Sequence, residues 1–330
     1  FDRRHADDRQ GPRPSRRYVA LAAGAFTVAA CVHIFRLKEF YPILRPTVLT
    51  GFLGYLLAIL TLLVDLGYPQ RIWHLIIYWN IHSPLFEIGW CVMLYTTVLA
   101  LEFSPTVFET LGWKVPLKIV RAITIPLVIT GVVLSTMHQS SLGTMLTIME
   151  PKMNPLWYSY FTPIYFFLTA FSAGIAMLVF ESYISAKVYH FEFELGILSK
   201  LVRVIPYALG IYFLARLADL TIYGKWQYFG KDPVATILFL IEILAGVLAP
   251  VILLSRASVR KDPHKLLWSA ILVLIGLALN RFNVSLVYLQ GAPYVPAWTE
   301  ILVSVGLTCL GVTLYDLATR LFPVVPEPSY

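Results

Sequence analysis

Polar and apolar positions in this 330-residue chain separate into long apolar blocks with short polar breaks. The blocks run Tyr18–Phe35, Ile43–Gly67, Pro84–Leu101, Leu117–Thr136, Tyr160–Ile184, Leu195–Ile222, Val234–Leu254, Leu266–Leu286 and Trp298–Phe322. Each reaches, or nearly reaches, the ~20 residues that a membrane-spanning helix needs. Inside a bilayer the backbone must satisfy its own hydrogen bonds, so apolar blocks of this length predict helices. Pro46 and Pro233 lie near block starts, where a missing N–H costs nothing. Residues 1–17 are Arg-rich, contain proline and read as disordered. Residues 18–322 read as one integral membrane domain and 323–330 as a tail. The expected fold is all-α, a polytopic transmembrane helix bundle with nine spans and no inserted soluble domain.

Composition agrees with that pattern. The chain is 58% hydrophobic and 14% charged, against roughly 45–50% and 25% in soluble domains. A net charge of +7 invites a nucleic-acid reading, but membrane proteins acquire such charge through their cytoplasmic loops. Cys31, Cys91 and Cys309 are scattered among apolar residues without CxxC or Cys/His spacing, so no zinc site or chain-borne iron–sulfur cluster is expected.

Loop charges set the expected orientation. One set of alternate loops and helix ends carries Arg36, Lys38, Arg45, Lys114, Lys118, Arg121, Lys187, Lys200, Arg203, Arg256, Arg260, Lys261 and Lys265. The other set holds only Arg71, Lys152, Lys225, Lys231 and Arg281. The first set should face the cytoplasm. The arginine-rich start then falls on the wrong side, and the chain opens on Phe rather than Met. Both features predict that a helix belonging before the first span is absent from this sequence.

Charged groups inside spans cost roughly 2.5–3.5 kcal/mol each on insertion scales, so each is a functional candidate. Asp65 closes the second block; Asn80, His82, Ser83 and Glu87 lead into the third. His138, Gln139 and Ser140 follow the fourth, in a polar run Met137-His138-Gln139-Ser140-Ser141-Leu142-Gly143-Thr144 that reads as a cup at a helix end. Arg216 and Asp219, Arg281 and Asn283, and Trp298 with Glu300 lie toward the same face; Glu242 is deeper. Each alone is equally well a cap, an interface anchor or, for Arg216 and Asp219, a self-neutralising pair. Glu181 and Asp316 read as boundary charges at the cytoplasmic ends, and His74 and His190 as loop residues. A b-haem needs two axial histidines at matching depth. His82 and His138 fall at helix ends and His33 and His264 near the cytoplasmic boundary, so no bound haem is expected. A quinone fits the cup better. It needs an apolar slot, a donor for each carbonyl and a titratable partner. His138, Gln139, Asp65 and Glu87 supply those groups, and Trp79, Phe86 and Trp90 can line the slot.

These motifs resemble the NrfD/PsrC-like membrane subunits of respiratory oxidoreductases, most nearly the HybB branch found with nickel–iron hydrogenases. The resemblance rests on Arg45-Pro46, Asp65-Leu66-Gly67, Ser83-Pro84-Leu85-Phe86-Glu87 and Ala100-Leu101-Glu102-Phe103-Ser104-Pro105. It continues through Leu111-Gly112-Trp113-Lys114, the Met137–Gly143 run, Pro155-Leu156-Trp157, Arg281-Phe282 and Pro296-Ala297-Trp298-Thr299-Glu300. It implies two four-helix bundles plus extra helices, about ten in all, with no haem in the chain. It implies an outward-facing ferredoxin-like iron–sulfur subunit, a catalytic subunit beyond it, and a menaquinone or ubiquinone site at that face. That site maps onto Asp65, Asn80, Glu87, His138 and Gln139, supported by Arg216, Asp219, Arg281 and Glu300, with Glu242 on a proton path. The extra first helix and the usual Pro-Trp-Gly entry to the next are replaced here by the Arg-rich stretch.

The expected function is therefore electron transfer between a periplasmic-side iron–sulfur subunit and the quinone pool, in a bacterial cytoplasmic membrane. The competing readings are an ion-coupled secondary transporter and a haem-bearing anchor.

Overall fold

The computed structural model describes residues 44–65, 68–148, 153–188, 193–284 and 298–323. Within them run α1 (Leu44–Asp65), α2 (Pro84–Leu111), α3 (Lys114–Ala122), α4 (Thr124–Ile148) and α5 (Thr162–Val188). After these come α6 (Leu195–Ile222), α7 (Pro233–Ser255), α8 (Pro263–Phe282) and α9 (Trp298–Leu321). All but α3 are long and apolar enough to cross a membrane, eight among the described residues. The chain is an integral, multi-pass, all-helical membrane protein. The expected span Tyr18–Phe35 and the segment 1–17 lie outside the described residues.

Local chemistry sets the helix boundaries. Asp232 and Asp262 cap α7 and α8, accepting backbone N–H bonds from Ala235, and from His264 and Lys265. Gly112 ends α2 at φ 70°, a left-handed turn that glycine adopts freely. Pro206 cannot donate to the previous turn, and α6 tightens into a 3-10 turn at Val202–Val204 ahead of it. In α7, Pro250 removes another donor, and the preceding Leu244–Leu248 is a π-helix.

α5, α6, α7 and α8 pack into one four-helix bundle around a shared core that includes Trp157, Ile175, Leu178 and Tyr212. α1, α2 and α4 enclose a smaller core of Cys91, Tyr95, Val98, Leu99, Val128 and Leu134. α4 against α5 joins the two groups, and α9 lies along α1. At the join, a Cβ on Gly143 would come within 2.5 Å of the Pro163 Cα. In the four-helix bundle, Gly246 and Gly276 let α7 and α8 touch; a Cβ on Gly276 would collide with the Gly246 Cα.

The largest departure from expectation is α4. The sequence pattern ends a helix begun at Leu117 where the polar run starts. Instead Lys114–Ala122 forms the separate α3, and α4 continues through the run to Ile148. The run stays helical because its hydroxyls bond their own helix. Ser140 donates to the Thr136 and Met137 carbonyls (3.0 Å each), and Thr144 to the Ser140 carbonyl (3.0 Å). His138 therefore sits ten residues, about 15 Å, inside the helix end.

Candidate functional site

The arginine-rich end of the bundle carries Arg45, Arg121, Arg203 and Arg260; the far end carries Glu87 and the start of α5. His138 lies inside the first helix group in the half nearer the far end. Its Nδ1 is buried and has no hydrogen-bond partner. The ring packs edge-on to Tyr55 of α1 at 5.8 Å between centroids, and Tyr55 in turn meets Tyr95 of α2 at 4.2 Å. One turn beyond His138, on the same face, the buried Ser141 hydroxyl donates to Glu87 Oε1 at 2.6 Å. That bond fixes the first turn of α2 against α4. Trp79, Phe86 and Trp90 cluster beside it, with ring centroids 5.1–6.1 Å apart. The indoles of Trp79 and Trp90 donate to the Ile76 and Leu75 carbonyls (2.8 and 3.0 Å), pinning the short helix His74–Ile77 over this corner.

The remaining expected site residues divide. Gln139 is half-buried beside His138. The Ser140 hydroxyl is turned to its own backbone. Asn80 and His82 are exposed in the connection before α2. Asp65 is the last residue of α1 and Glu300 the third of α9, and both side chains lie outside the described set. Arg216, Asp219, Glu242 and Arg281 belong to the four-helix bundle instead, where they form two buried networks.

In the first network, the ion pair expected between Arg216 and Asp219 is loose, at 3.8 Å. Asp219 pairs more closely with Lys225 (2.7 Å) and accepts from Ser159 (2.8 Å). Burial lowers the Lys225 pKa, and the Asp219 partner works against that shift. Arg216 and Lys225 also donate to the Leu156 and Tyr158 carbonyls (2.7 and 2.6 Å), so the cluster ties down the segment ahead of α5. In the second network Glu242 accepts three bonds: from the Trp157 indole (2.9 Å), Asn280 (2.7 Å) and Asn283 (2.9 Å). Asn280 also accepts from Arg281 (2.6 Å), so one amide separates the carboxylate from the guanidinium. A cavity of about 10 Å³, the room of one water centre, opens beside Glu242, Tyr212 and Gly246.

At the arginine-rich end, Glu181 is more than a boundary charge. It accepts from Thr50 (2.8 Å), linking α5 to α1. Asp316 behaves as expected, pairing with Arg320 at 2.9 Å.

The family described as "Polysulphide reductase, NrfD" matches residues 18–317. The chain belongs to the NrfD family. Among its curated relatives is the "Probable Ni/Fe-hydrogenase 2 b-type cytochrome subunit" of Escherichia coli, 34% identical over 92% of this chain and 80% of that protein. A second is the "Menaquinone reductase, integral membrane subunit" of Nitratidesulfovibrio vulgaris, 28% identical over 81% and 69%. A third, a selenate reductase subunit from Mesobacillus selenatarsenatis, is 25% identical over 49% and 45%. These NrfD-family relatives are named as subunits of oxidoreductases.

One expectation is overturned here. The sequence pattern predicts a haem-free chain, yet the E. coli relative is described as a b-type cytochrome subunit. The prediction depends on His138 lying at a helix end, and α4 buries it well inside. His138 offers one nitrogen free of hydrogen bonds, which suits one axial position. His74 and His82 lie in the connection before α2, and His264 meets Tyr183 at the arginine-rich end (3.1 Å). The described residues hold no second histidine in the interior of a span.

Several polar groups escape a reading of the sequence. Tyr55 and Tyr95 look like ordinary helix residues in apolar blocks, and Ser159 like a residue of the connection before one. Asn280 stands beside the expected Arg281 and Asn283, and two amides within four residues of a span are the available signal.

Proposed function

We propose that this NrfD-family chain is the quinone-reactive membrane subunit of a respiratory oxidoreductase in a bacterial cytoplasmic membrane. It exchanges electrons between menaquinone or ubiquinone and an iron–sulfur subunit docked on the periplasmic side, with a catalytic subunit beyond. The observation that carries this reading is His138, a half-buried imidazole in mid-span whose buried Nδ1 has no partner, one turn from the Ser141–Glu87 bond. Quinone supplies a carrier of two electrons and two protons. His138 holds a carbonyl oxygen by hydrogen bond and exchanges a proton there. Glu87, oriented by Ser141, relays that proton toward the far end. The aromatic corner at Trp79, Phe86 and Trp90 offers an apolar slot that excludes water. Arg216, Asp219, Arg281 and Glu242 support the site from the neighbouring bundle, by fixing the segment ahead of α5 and the end of α8.

Titration of the purified chain with a fluorescent quinol analogue tests this, beside His138→Ala. Saturable binding lost in the variant is expected; equal binding to both would remove His138 from the site. A second reading has its own support in the E. coli relative's description as a b-type cytochrome subunit. There His138 would hold a haem iron, which would carry single electrons, and a reduced-minus-oxidised spectrum lost in His138→Ala decides for it. The relatives named as oxidoreductase subunits leave the transporter reading without an observation in its favour.

A further inference from the structure

The described carboxylates within the spans have partners, with one exception. Glu87 and Glu181 accept from hydroxyls; Glu109, Asp219 and Asp316 pair with cations; Glu242 accepts three N–H bonds. Glu102 of α2 accepts nothing: both oxygens are buried and unpartnered. An ionised carboxylate in that setting is far more costly than the neutral acid. Glu102 therefore carries its proton, and a buried acid with nothing holding that proton can pass it on.

Its position gives the proton somewhere to go. Glu102 lies nine residues, about 14 Å, from the arginine-rich end of α2. Glu109 is seven residues toward that end and Tyr95 seven toward the other, so all three share a face of α2. Glu109 sits between Arg45 and Arg121, at 2.5 and 2.6 Å. The phenol of Tyr95 hydrogen-bonds Ser135 of α4, and its ring touches Tyr55, which touches His138. The titratable groups on α1, α3 and α4 around α2 thus include Tyr55 and Arg45 on α1, Lys114, Lys118 and Arg121 on α3 and His138 on α4. No described cation pairs with Glu102.

We propose that Glu102 is a proton-loading site in the arginine-rich half of the membrane that serves the chemistry at His138; this rests on the quinone reading above. As two electrons from the iron–sulfur partner reduce a quinone there, Glu102 releases its O–H proton toward Tyr95 and Tyr55. One quinone oxygen gains that proton and the other gains its proton from His138, which is reloaded through Glu87; Glu102 then takes a replacement from the arginine-rich side. Quinol oxidation runs the same transfer backwards.

Two measurements test it. In pH-difference infrared spectra of the purified chain without quinone, a carboxylic-acid C=O band should vanish in Glu102→Gln and shift in Glu102→Asp. In proteoliposomes holding the whole complex, proton uptake from the arginine-rich side during quinone reduction should fall at least tenfold in Glu102→Gln and recover in Glu102→Asp. Unchanged uptake in a folded Glu102→Gln complex overturns the proposal, as does an acid band that survives the substitution. A wild-type chain that shows the acid band but binds no quinol analogue would sink the quinone reading and leave the buried acid standing.

Discussion

The Glu242 network gives a prediction whose size follows from the structure. Glu242→Ala leaves three donors, the Trp157 indole and the Asn280 and Asn283 amides, facing each other without an acceptor. Interhelical hydrogen bonds in membranes contribute about 0.6–2 kcal/mol each. Three lost together should cost about 2–6 kcal/mol. Glu242→Gln keeps one oxygen and turns an NH2 toward a donor, so it should lose at least one bond, about 0.6–2 kcal/mol. Chemical unfolding of the purified chain in detergent, followed by tryptophan fluorescence, measures both. The expected order is wild type, then Gln, then Ala. An Ala variant within about 0.5 kcal/mol of wild type, the range of an ordinary surface change, would refute the reasoning and leave the three bonds without energetic weight.

Other outcomes follow from single contacts. Gly143→Ala places a methyl against the Pro163 backbone at 2.5 Å and should cost about 1–3 kcal/mol by overpacking, read in the same unfolding assay. Lys225→Ala leaves Asp219 with only the Ser159 hydroxyl and the loose Arg216 pair and should cost about 1–3 kcal/mol; Asp219→Ala, which leaves both buried cations without a carboxylate, should cost more, about 3–5 kcal/mol. Ser141→Ala should weaken quinol-analogue binding several-fold and cost about 0.6–2 kcal/mol in unfolding, since it removes the bond that fixes α2 against α4. Asp262 is held below the ordinary aspartate range, first by the Lys265 backbone N–H. Its folded value is the lower one, so its cap stabilises α8 above the ordinary range and fades as pH falls through the folded value. The unfolding midpoints of wild type and Asp262→Ala should therefore converge in acid.

The helices are legible because apolar block length is a strong signal, and blocks such as Trp298–Phe322 match α9 within a residue. The error at His138 comes from treating polarity as a helix terminator. Ser and Thr hydroxyls can bond back to their own helix, so a polar run inside a membrane need not end it. Glu87 is legible because it sits beside a proline-led helix start. Its partner Ser141 is not, because pairing between α2 and α4 depends on how the helices rotate against each other. The same limit divides one expected cup into His138 on one helix group and Arg216, Asp219, Glu242 and Arg281 on another. Lys225 reads as a loop charge, since nothing local announces that a lysine after a helix folds back into a buried pair.

The π-helix at Leu244–Leu248 has a consequence for comparing relatives. One residue more than an α-helix needs is accommodated there, so the Glu242 side of α7 and the Ser255 side are offset by about 100° in phase. A relative that builds this stretch as plain α-helix would keep both faces only by lacking one residue. An alignment across this helix should thus place any single-residue gap between Leu244 and Leu248. Gap-free alignments that drift here would pair Glu242 with a lipid-facing position.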